Sequence, residues 1–133
     1  MEIIKDVLKK YKNIALVGAS KDLTKTSSVV MKYLQDYGFK VYPVNPKAKD
    51  QKILGEKVFE KITDIKDTVE IVDVFRPSEE AADIAKDTIK IGAKVLWLQL
   101  GIKSPEARKL IEDSNILFVE DRCTKIEHQK YFS

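Results

Sequence analysis

Short apolar runs alternate with longer segments whose apolar residues recur every three to four positions along this 133-residue chain. An uninterrupted apolar run is typical of a parallel strand covered on both faces, because neither face then needs polar side chains. Such runs predict strands at residues 14–17, 39–44, 94–100 and 116–119, and a further strand is predicted at 69–75, where Glu70 and Asp73 interrupt the run. Residues 57–59 add a very short edge strand.

Helical spacing and end signals predict helices at residues 1–11, 29–37, 78–91 and 104–113, and a single turn within 61–66. Ser78 is a candidate cap for the third helix, and Ser104 with Pro105 for the fourth. Competent caps also precede the second helix, at Thr26, Ser27 and Ser28. Gly38 and Gly92 lie where helices should end. Residues 121–133 are predicted to be a polar tail.

Strands that alternate with helices predict an α/β fold with a Rossmann-like, doubly wound, mostly parallel sheet of five or six strands and helices on both faces. We expect one domain over residues 1–133, with an N-terminal helix at 1–12 and a C-terminal tail at 120–133. The expected strand order is 3-2-1-4-5-6, the 57–59 strand being third. The switch point then lies between the strands ending at Val17 and Phe75, where such sheets bind ligands.

Composition narrows the function classes. A net charge of +3 is too small to indicate a general nucleic-acid binder. One cysteine excludes an internal disulfide framework and fits a reducing cytosol, so we expect a cytoplasmic protein. No apolar run approaches ~20 residues, which predicts no membrane span.

The segment from Gly18 to Ser28 is a small-residue loop between the first strand and the second helix. Such a loop presents backbone N–H groups at the positive end of a helix, which favours an anion, usually phosphate. Lys21 and Lys25 add two positive charges. An ordinary connection that binds nothing is the alternative. Residues 44–47 and 75–78 should converge on the same crevice, with 99–102 alongside.

The two loops limit the choice of nucleotide. The NAD fingerprint needs glycines at positions 18, 20 and 23, but the chain has Gly18, Ser20 and Leu23. Asn45 stands where an acid would bind a ribose 2′-hydroxyl, and Lys47 just beyond it suits a ribose phosphate. NADP and coenzyme A (CoA) both carry that phosphate. A P-loop NTPase is unsupported, because no G-x-x-x-x-G-K-[ST] motif is present.

Candidate catalytic residues are few. Cys123 and His128 lie five residues apart and are the chain's one cysteine and one histidine. A Cys–His couple is conceivable, but nothing in the sequence specifies its geometry, so we favour a structural role for each. Two such residues are too few for a structural zinc site, and we predict no metal. Charged residues in the 61–67 segment, including Lys61, are interpreted as a solvated face.

These residues carry a resemblance to the small bacterial and archaeal CoA-binding proteins of the YccU type. That family is a stand-alone relative of the CoA-binding domain that opens the succinyl-CoA synthetase α subunit. The matching blocks span residues 14–20, 41–47, 69–76, 94–101 and 121–128. The Val-Asn-Pro-Lys block and the last block are specific, whereas the first alone is not. Thr26 is a mild departure, because family members often have proline there.

The resemblance implies a site for CoA. The pyrophosphate would lie on the first loop, at Gly18, Ala19, Ser20, Lys25, Ser27 and Ser28. The adenosine and its 3′-phosphate would lie near Val44, Asn45, Pro46 and Lys47. The pantetheine would pass Phe75, Arg76 and Pro77 toward Gln99 and Gly101.

Three hypotheses follow. The first is a non-enzymatic CoA-binding protein that senses CoA or acyl-CoA, or delivers it to a protein partner that the sequence does not identify. The second is an NADP-binding oxidoreductase-like domain, disfavoured by the missing glycines and by the lack of a clear proton donor. The third is a CoA-linked enzyme that uses Cys123 and His128. Identification of a co-purifying ligand would separate them.

Overall fold

The computed structural model describes residues 2–133; Met1, where the first predicted helix begins, lies outside the described residues. The helices of this part are α1 (Glu2–Lys10), α2 (Thr26–Asp36), α3 (Ala81–Ile91), α4 (Pro105–Glu112) and α5 (Thr124–Phe132). Its strands are β1 (Asn13–Val17), β2 (Lys40–Val44), β3 (Lys52–Ile53), β4 (Glu56–Lys57), β5 (Ile71–Val74), β6 (Val95–Leu98) and β7 (Leu117–Val119). Short 3₁₀ turns occupy Pro46–Ala48, Ile62–Asp64 and Ser78–Glu80.

The main sheet is parallel, with five strands in the order β2-β1-β5-β6-β7. Ile14 of β1 pairs with Val41 on one side and with Ile71 on the other, so the strand order reverses beside β1. The predicted parallel α/β sheet and its switch point are therefore confirmed. A separate antiparallel pair, β3 with β4, was not predicted.

The predicted third strand is reduced to one parallel bridge between Val44 and Phe59. The Phe59 N–H donates to the Pro43 carbonyl, and the Asn45 N–H donates to the Phe59 carbonyl. A longer ladder would need an N–H from Pro43 on the same side, and proline has none. Residues 56–57 turn away into the β3–β4 pair instead.

Helices cover both faces of the sheet, as predicted. Alternate strand residues point to opposite faces, so Ile14 and Leu16 join the core under α1, α2 and α5. Ala15 lies in the second core with α3 and α4. The central strands β1, β5 and β6 are almost completely buried, which explains why their residues are mainly apolar. The fold is Rossmann-like.

Two predicted helix starts are wrong. Helix α2 begins at Thr26, and its cap residue Lys25 makes no side-chain capping bond. The Ser28 hydroxyl does not cap the helix. It donates instead to the carbonyls of Ser20 and Asp22, and these bonds hold the first loop against the start of α2. Ser78 opens a 3₁₀ turn before α3, and its hydroxyl accepts from the Lys103 N–H. The Ser104 cap of α4 is confirmed, since its Oγ accepts from the Ala107 N–H at 3.1 Å.

The predicted polar tail is wrong over most of its length, because residues 124–132 form α5. This helix packs against α1 and α2. Within residues 2–133, no helix is both long and apolar enough to cross a membrane.

Candidate functional site

A cavity of about 720 Å³ opens at the carboxyl ends of β1, β2 and β5, where the strand order reverses. Its volume falls within the range of small-molecule sites. Eleven of the fifteen predicted site residues line it: Gly18, Ala19, Ser20, Lys25, Ser27, Val44, Asn45, Pro46, Lys47, Phe75 and Arg76. Three loops predicted to converge therefore do so.

The other four predicted residues do not line this cavity. The Ser28 hydroxyl closes the first loop, and Pro77 caps a 3₁₀ turn. The Gln99 side chain is buried and donates to Asp73. The Gly101 N–H donates to the Asp121 carboxylate. Each thus has a local structural role.

Gly18 lets the first loop pass close to β5. Its φ is +95°, and a Cβ there would lie 2.7 Å from the Phe75 carbonyl oxygen and 3.0 Å from Arg76 Cδ. The N–H groups of Gly18 and Ala19 already donate to the Val44 carbonyl, at 3.0 and 3.3 Å. Contrary to the simplest expectation for a phosphate loop, these two amides are not free.

Free amides lie at the start of α2 instead. The Ser28 and Val29 N–H groups donate to the Lys25 carbonyl. The N–H groups of Thr26 and Ser27 have no acceptor among the described residues, and both residues line the cavity. First-turn amides lack intrahelical partners and carry the positive end of the helix dipole, so this end suits an anion.

Asn45 fastens the second loop to the first. Its Nδ2 donates to the Ala19 carbonyl at 2.9 Å, and its Oδ1 accepts from the Lys47 N–H at 2.9 Å. Both polar ends of the side chain are therefore used within the protein. Asn45 positions the loop that carries Lys47.

Three lysines of the cavity lack an ion-pair partner among the described residues, although three acidic side chains line the same cavity. The ammonium groups of Lys25, Lys47 and Lys61 have no ion-pair or hydrogen-bond partner within residues 2–133. Lys61 is exposed, as expected for a solvated face, and the turn after the Phe59 bridge also places it at the cavity, which was not predicted. Three unpaired cations and two free amides can bind more than one phosphate group.

Arg76 differs, because Glu80 holds it. The guanidinium Nε and Nη2 donate to the two Glu80 carboxylate oxygens at 3.1 and 2.6 Å. These bonds lower the pKa of Glu80 and raise the pKa of Arg76. The pair lines the cavity beside Gly18.

Sequence reasoning missed several lining residues. Val17 and Thr26 belong to segments already assigned to the site, whereas six others lie on segments assigned elsewhere: Glu60, Lys61, Ile62, Glu80, Ile84 and Asp87. Helical spacing could have shown that residues 80, 84 and 87 share one face of a helix. It could not have shown which cavity that face borders.

A buried polar network lies beside the site, one residue before the end of β5. Gln99 Nε2 donates to Asp73 Oδ1 at 2.6 Å and to Thr124 Oγ1 at 2.9 Å, and that hydroxyl donates to Asp73 Oδ2 at 3.0 Å. The Asp73 carboxyl has no cationic partner in the described part of the chain. Burial raises the pKa of Asp73 to about 7 although both hydrogen bonds act to lower it.

The two candidate catalytic residues lie in packed surroundings. Cys123 is buried in the core beneath α1 and α2. His128 Nδ1 shares a hydrogen bond of 2.8 Å with the Tyr33 hydroxyl, and the Phe39 and Phe132 rings pack around the imidazole. Burial and the nearby Lys12 charge lower the pKa of His128. The described residues contain no group of three or more His, Cys, Asp or Glu side chains arranged to hold a metal ion.

Known proteins resemble this chain in sequence and in fold. The family model described as a CoA binding domain matches residues 12–129. The uncharacterized protein YneT of Bacillus subtilis is 34% identical over 125 residues, which cover 94% of this chain and 91% of YneT. A structure described as a hypothetical protein from Pyrococcus horikoshii OT3 superposes with a TM-score of 0.94 at 39% identity, covering 99% of this chain and 92% of that one.

A larger enzyme shares the matched segment. The ADP-forming acetate–CoA ligase of Methanocaldococcus jannaschii is 31% identical over 83 residues, which cover 62% of this chain. The same segment is 12% of the ligase, so the similarity concerns one part of that enzyme.

Proposed function

The chain belongs to the CoA-binding domain family, and from this membership we propose that it binds coenzyme A as a small, non-enzymatic binding protein. It would sense CoA or acyl-CoA, or deliver it to a protein partner. The observation that carries the proposal is the cavity at the switch point, where two free amides and three unpaired lysines line one space.

Each phosphate of CoA would have its own set of partners in this cavity. The Thr26 and Ser27 amides, with Lys25, suit the pyrophosphate, because a helix N-terminus and an ammonium both favour negative charge. Lys47 on the second loop suits the ribose 3′-phosphate, and Lys61 lines the same cavity. The pantetheine path past Pro77 toward Gln99 and Gly101 stays a prediction, since those residues lie outside the cavity.

A binding role without catalysis is supported by the surroundings of Cys123 and His128. Cys123 is buried, and the His128 Nδ1 atom bonds to Tyr33. Neither residue lines the cavity. We therefore assign them to packing of α5 and propose no thioester chemistry.

The test compares CoA, dephospho-CoA, NADP and NAD by calorimetry and by thermal stabilisation. CoA should stabilise the protein by about 2.7 kcal/mol at 100 times its dissociation constant. Lys47→Ala should weaken CoA binding roughly tenfold and barely change dephospho-CoA binding, because one contact with a charged group is lost. Lys25→Ala should weaken both ligands alike.

Lys52→Ala is the matched control, since Lys52 is exposed on β3 and does not line the cavity. It should leave all four affinities unchanged. If NADP stabilises the protein more than CoA does, the CoA proposal fails and the oxidoreductase-like alternative replaces it.

A further inference from the structure

One face of α3 forms a wall of the cavity that the phosphate-binding groups do not use. Glu80, at the cap of α3, Ile84 and Asp87 follow one another at spacings of four and three residues, so they lie along the same side of the helix. Ile62, on the 3₁₀ turn before β5, lines the same cavity. This part of the site therefore combines two aliphatic side chains with two carboxylates.

Asp87 is the acid of this wall whose charge is not compensated. Glu80 binds Arg76 at 2.6 Å, and Glu60 lies 3.6 Å from Lys49. Asp87 is half-buried, and within residues 2–133 it has neither an ion pair nor a hydrogen-bond donor. Its carboxylate is therefore available to accept a hydrogen bond from a ligand or from water in the cavity.

We propose that Asp87 reads the base of the bound nucleotide by accepting a hydrogen bond from the exocyclic amino group of adenine. Ile62 and Ile84 would contact the faces or edge of the ring, as apolar side chains do in nucleotide sites. An ionised carboxylate only accepts hydrogen bonds, so at this position it matches an amino group and repels a carbonyl oxygen. At the exocyclic position the site would thus prefer adenine over hypoxanthine, which carries oxygen in place of that amino group and has its donor N–H only at the neighbouring N1.

This inference rests on the proposed function, because CoA is the ligand that brings adenine to the cavity. The feature that would distinguish the two bases is the carboxylate acceptor of Asp87. The loops that carry Lys25 and Lys47 do not contribute this acceptor. An asparagine at this position can turn its amide and donate to a carbonyl oxygen. Asp87→Asn should therefore narrow or reverse the preference without removing the phosphate contacts.

The experiment measures the affinity of the full chain for CoA and for its deaminated analogue, in which hypoxanthine replaces adenine. The wild type should bind CoA at least tenfold more tightly than the analogue. In Asp87→Asn the ratio should fall to about threefold or less, with a gain in affinity for the analogue. Asp83→Asn is the control, because Asp83 is exposed on the same helix and pairs with Lys86 at 3.8 Å.

The outcomes separate this inference from the proposed function. If the wild type binds neither compound, the proposed function itself fails. If it binds CoA but Asp87→Asn keeps the wild-type ratio, or if Asp83→Asn narrows the ratio equally, Asp87 does not read the base. Equal melting temperatures of the two variants without ligand would confirm that both are folded.

Discussion

At the scale of single residues, Gly18 sets how closely the first loop approaches β5. Its positive φ is a conformation that other residues adopt only with strain, and the Phe75 carbonyl occupies the space of a side chain. The two effects are separable, because Gly38 has a similar φ of +89° but nothing within 4 Å of its Cβ position.

Gly18→Ala should therefore destabilise the protein more than Gly38→Ala does. Left-handed strain costs roughly 1–2 kcal/mol at either position. Gly18→Ala adds a backbone clash, and we expect its total loss of unfolding free energy to exceed that of Gly38→Ala by at least ~1 kcal/mol. Urea unfolding of both variants measures the difference. Equal losses would show that the Phe75 contact relaxes without cost.

The residues of the candidate site were only partly predictable. The sequence identified Lys25 and Lys47 because both lie on loops that follow strands, Lys25 just before the second helix and Lys47 shortly after Val44. Lys61 and Asp87 were not identified, since they reach the cavity through the packing of a 3₁₀ turn and of α3. Asn45 was identified by position, but its role in joining two loops depends on the Ala19 carbonyl, which no local pattern reveals.

At the scale of elements, α5 shows where hydrophobic periodicity fails. Its buried residues include Thr124 and His128, whereas Ile126 is 52% exposed. The apolar and polar positions are thus inverted relative to an amphipathic helix, and the segment was predicted to be a tail. Its attachment uses hydrogen bonds and rings, including the Arg122 carbonyl, which accepts from Trp97 Nε1 at 2.7 Å.

Deleting residues 121–133 should lower the melting temperature. The deletion removes the acceptor of the buried Trp97 N–H, and one such unsatisfied group costs about 1–3 kcal/mol. It also uncovers the α1 and α2 surface that α5 covers. Thermal unfolding with and without CoA is the measurement. Unchanged melting together with lost CoA binding would make this segment part of the ligand site instead.

A single substitution at His128 tests the packing of α5 without removing the helix. His128→Ala should cost about 2–3 kcal/mol, because it removes a buried ring and the partner of Tyr33. Gln129→Ala, at an exposed neighbouring position, should stay within about 0.5 kcal/mol of wild type. Similar effects of the two substitutions would contradict a packing role for His128.

At the scale of the whole molecule, the strand order was predictable because each buried strand is a separate apolar run. The length of the third strand was not, since it depends on which side of β2 the Pro43 nitrogen faces. The sequence shows that Asp73 lies within the β5 run, but it does not show which residues form hydrogen bonds with the Asp73 carboxyl. Gln99 and Thr124 come from β6's end and α5, so only the folded topology brings them to Asp73.

Asp73 should make the stability of the whole molecule depend on pH. Burial raises its pKa from 3.8 to about 7, so the folded state retains the proton that the unfolded state releases. This contribution is fully present below about pH 4 and is lost as the pH rises through 7. At 1.36 kcal/mol per pKa unit, the full effect is on the order of 4 kcal/mol. His128 acts in the opposite direction, because its lowered pKa removes stability as the pH falls below about 6.5.

Comparing Asp73→Asn with the wild type separates the effect of the Asp73 carboxyl from that of His128 and the other titrating groups. The unfolding free energy of the variant, relative to wild type, should rise by at least ~2 kcal/mol between pH 4.5 and pH 8, because the variant has no proton to lose. Urea unfolding at the two pH values gives this difference directly. Asp83→Asn, which changes an exposed acid, should follow the wild type at both values. If Asp73→Asn also follows the wild type, the carboxyl is already ionised in the folded protein at pH 4.5, and its hydrogen bonds from Gln99 and Thr124 outweigh the cost of burial.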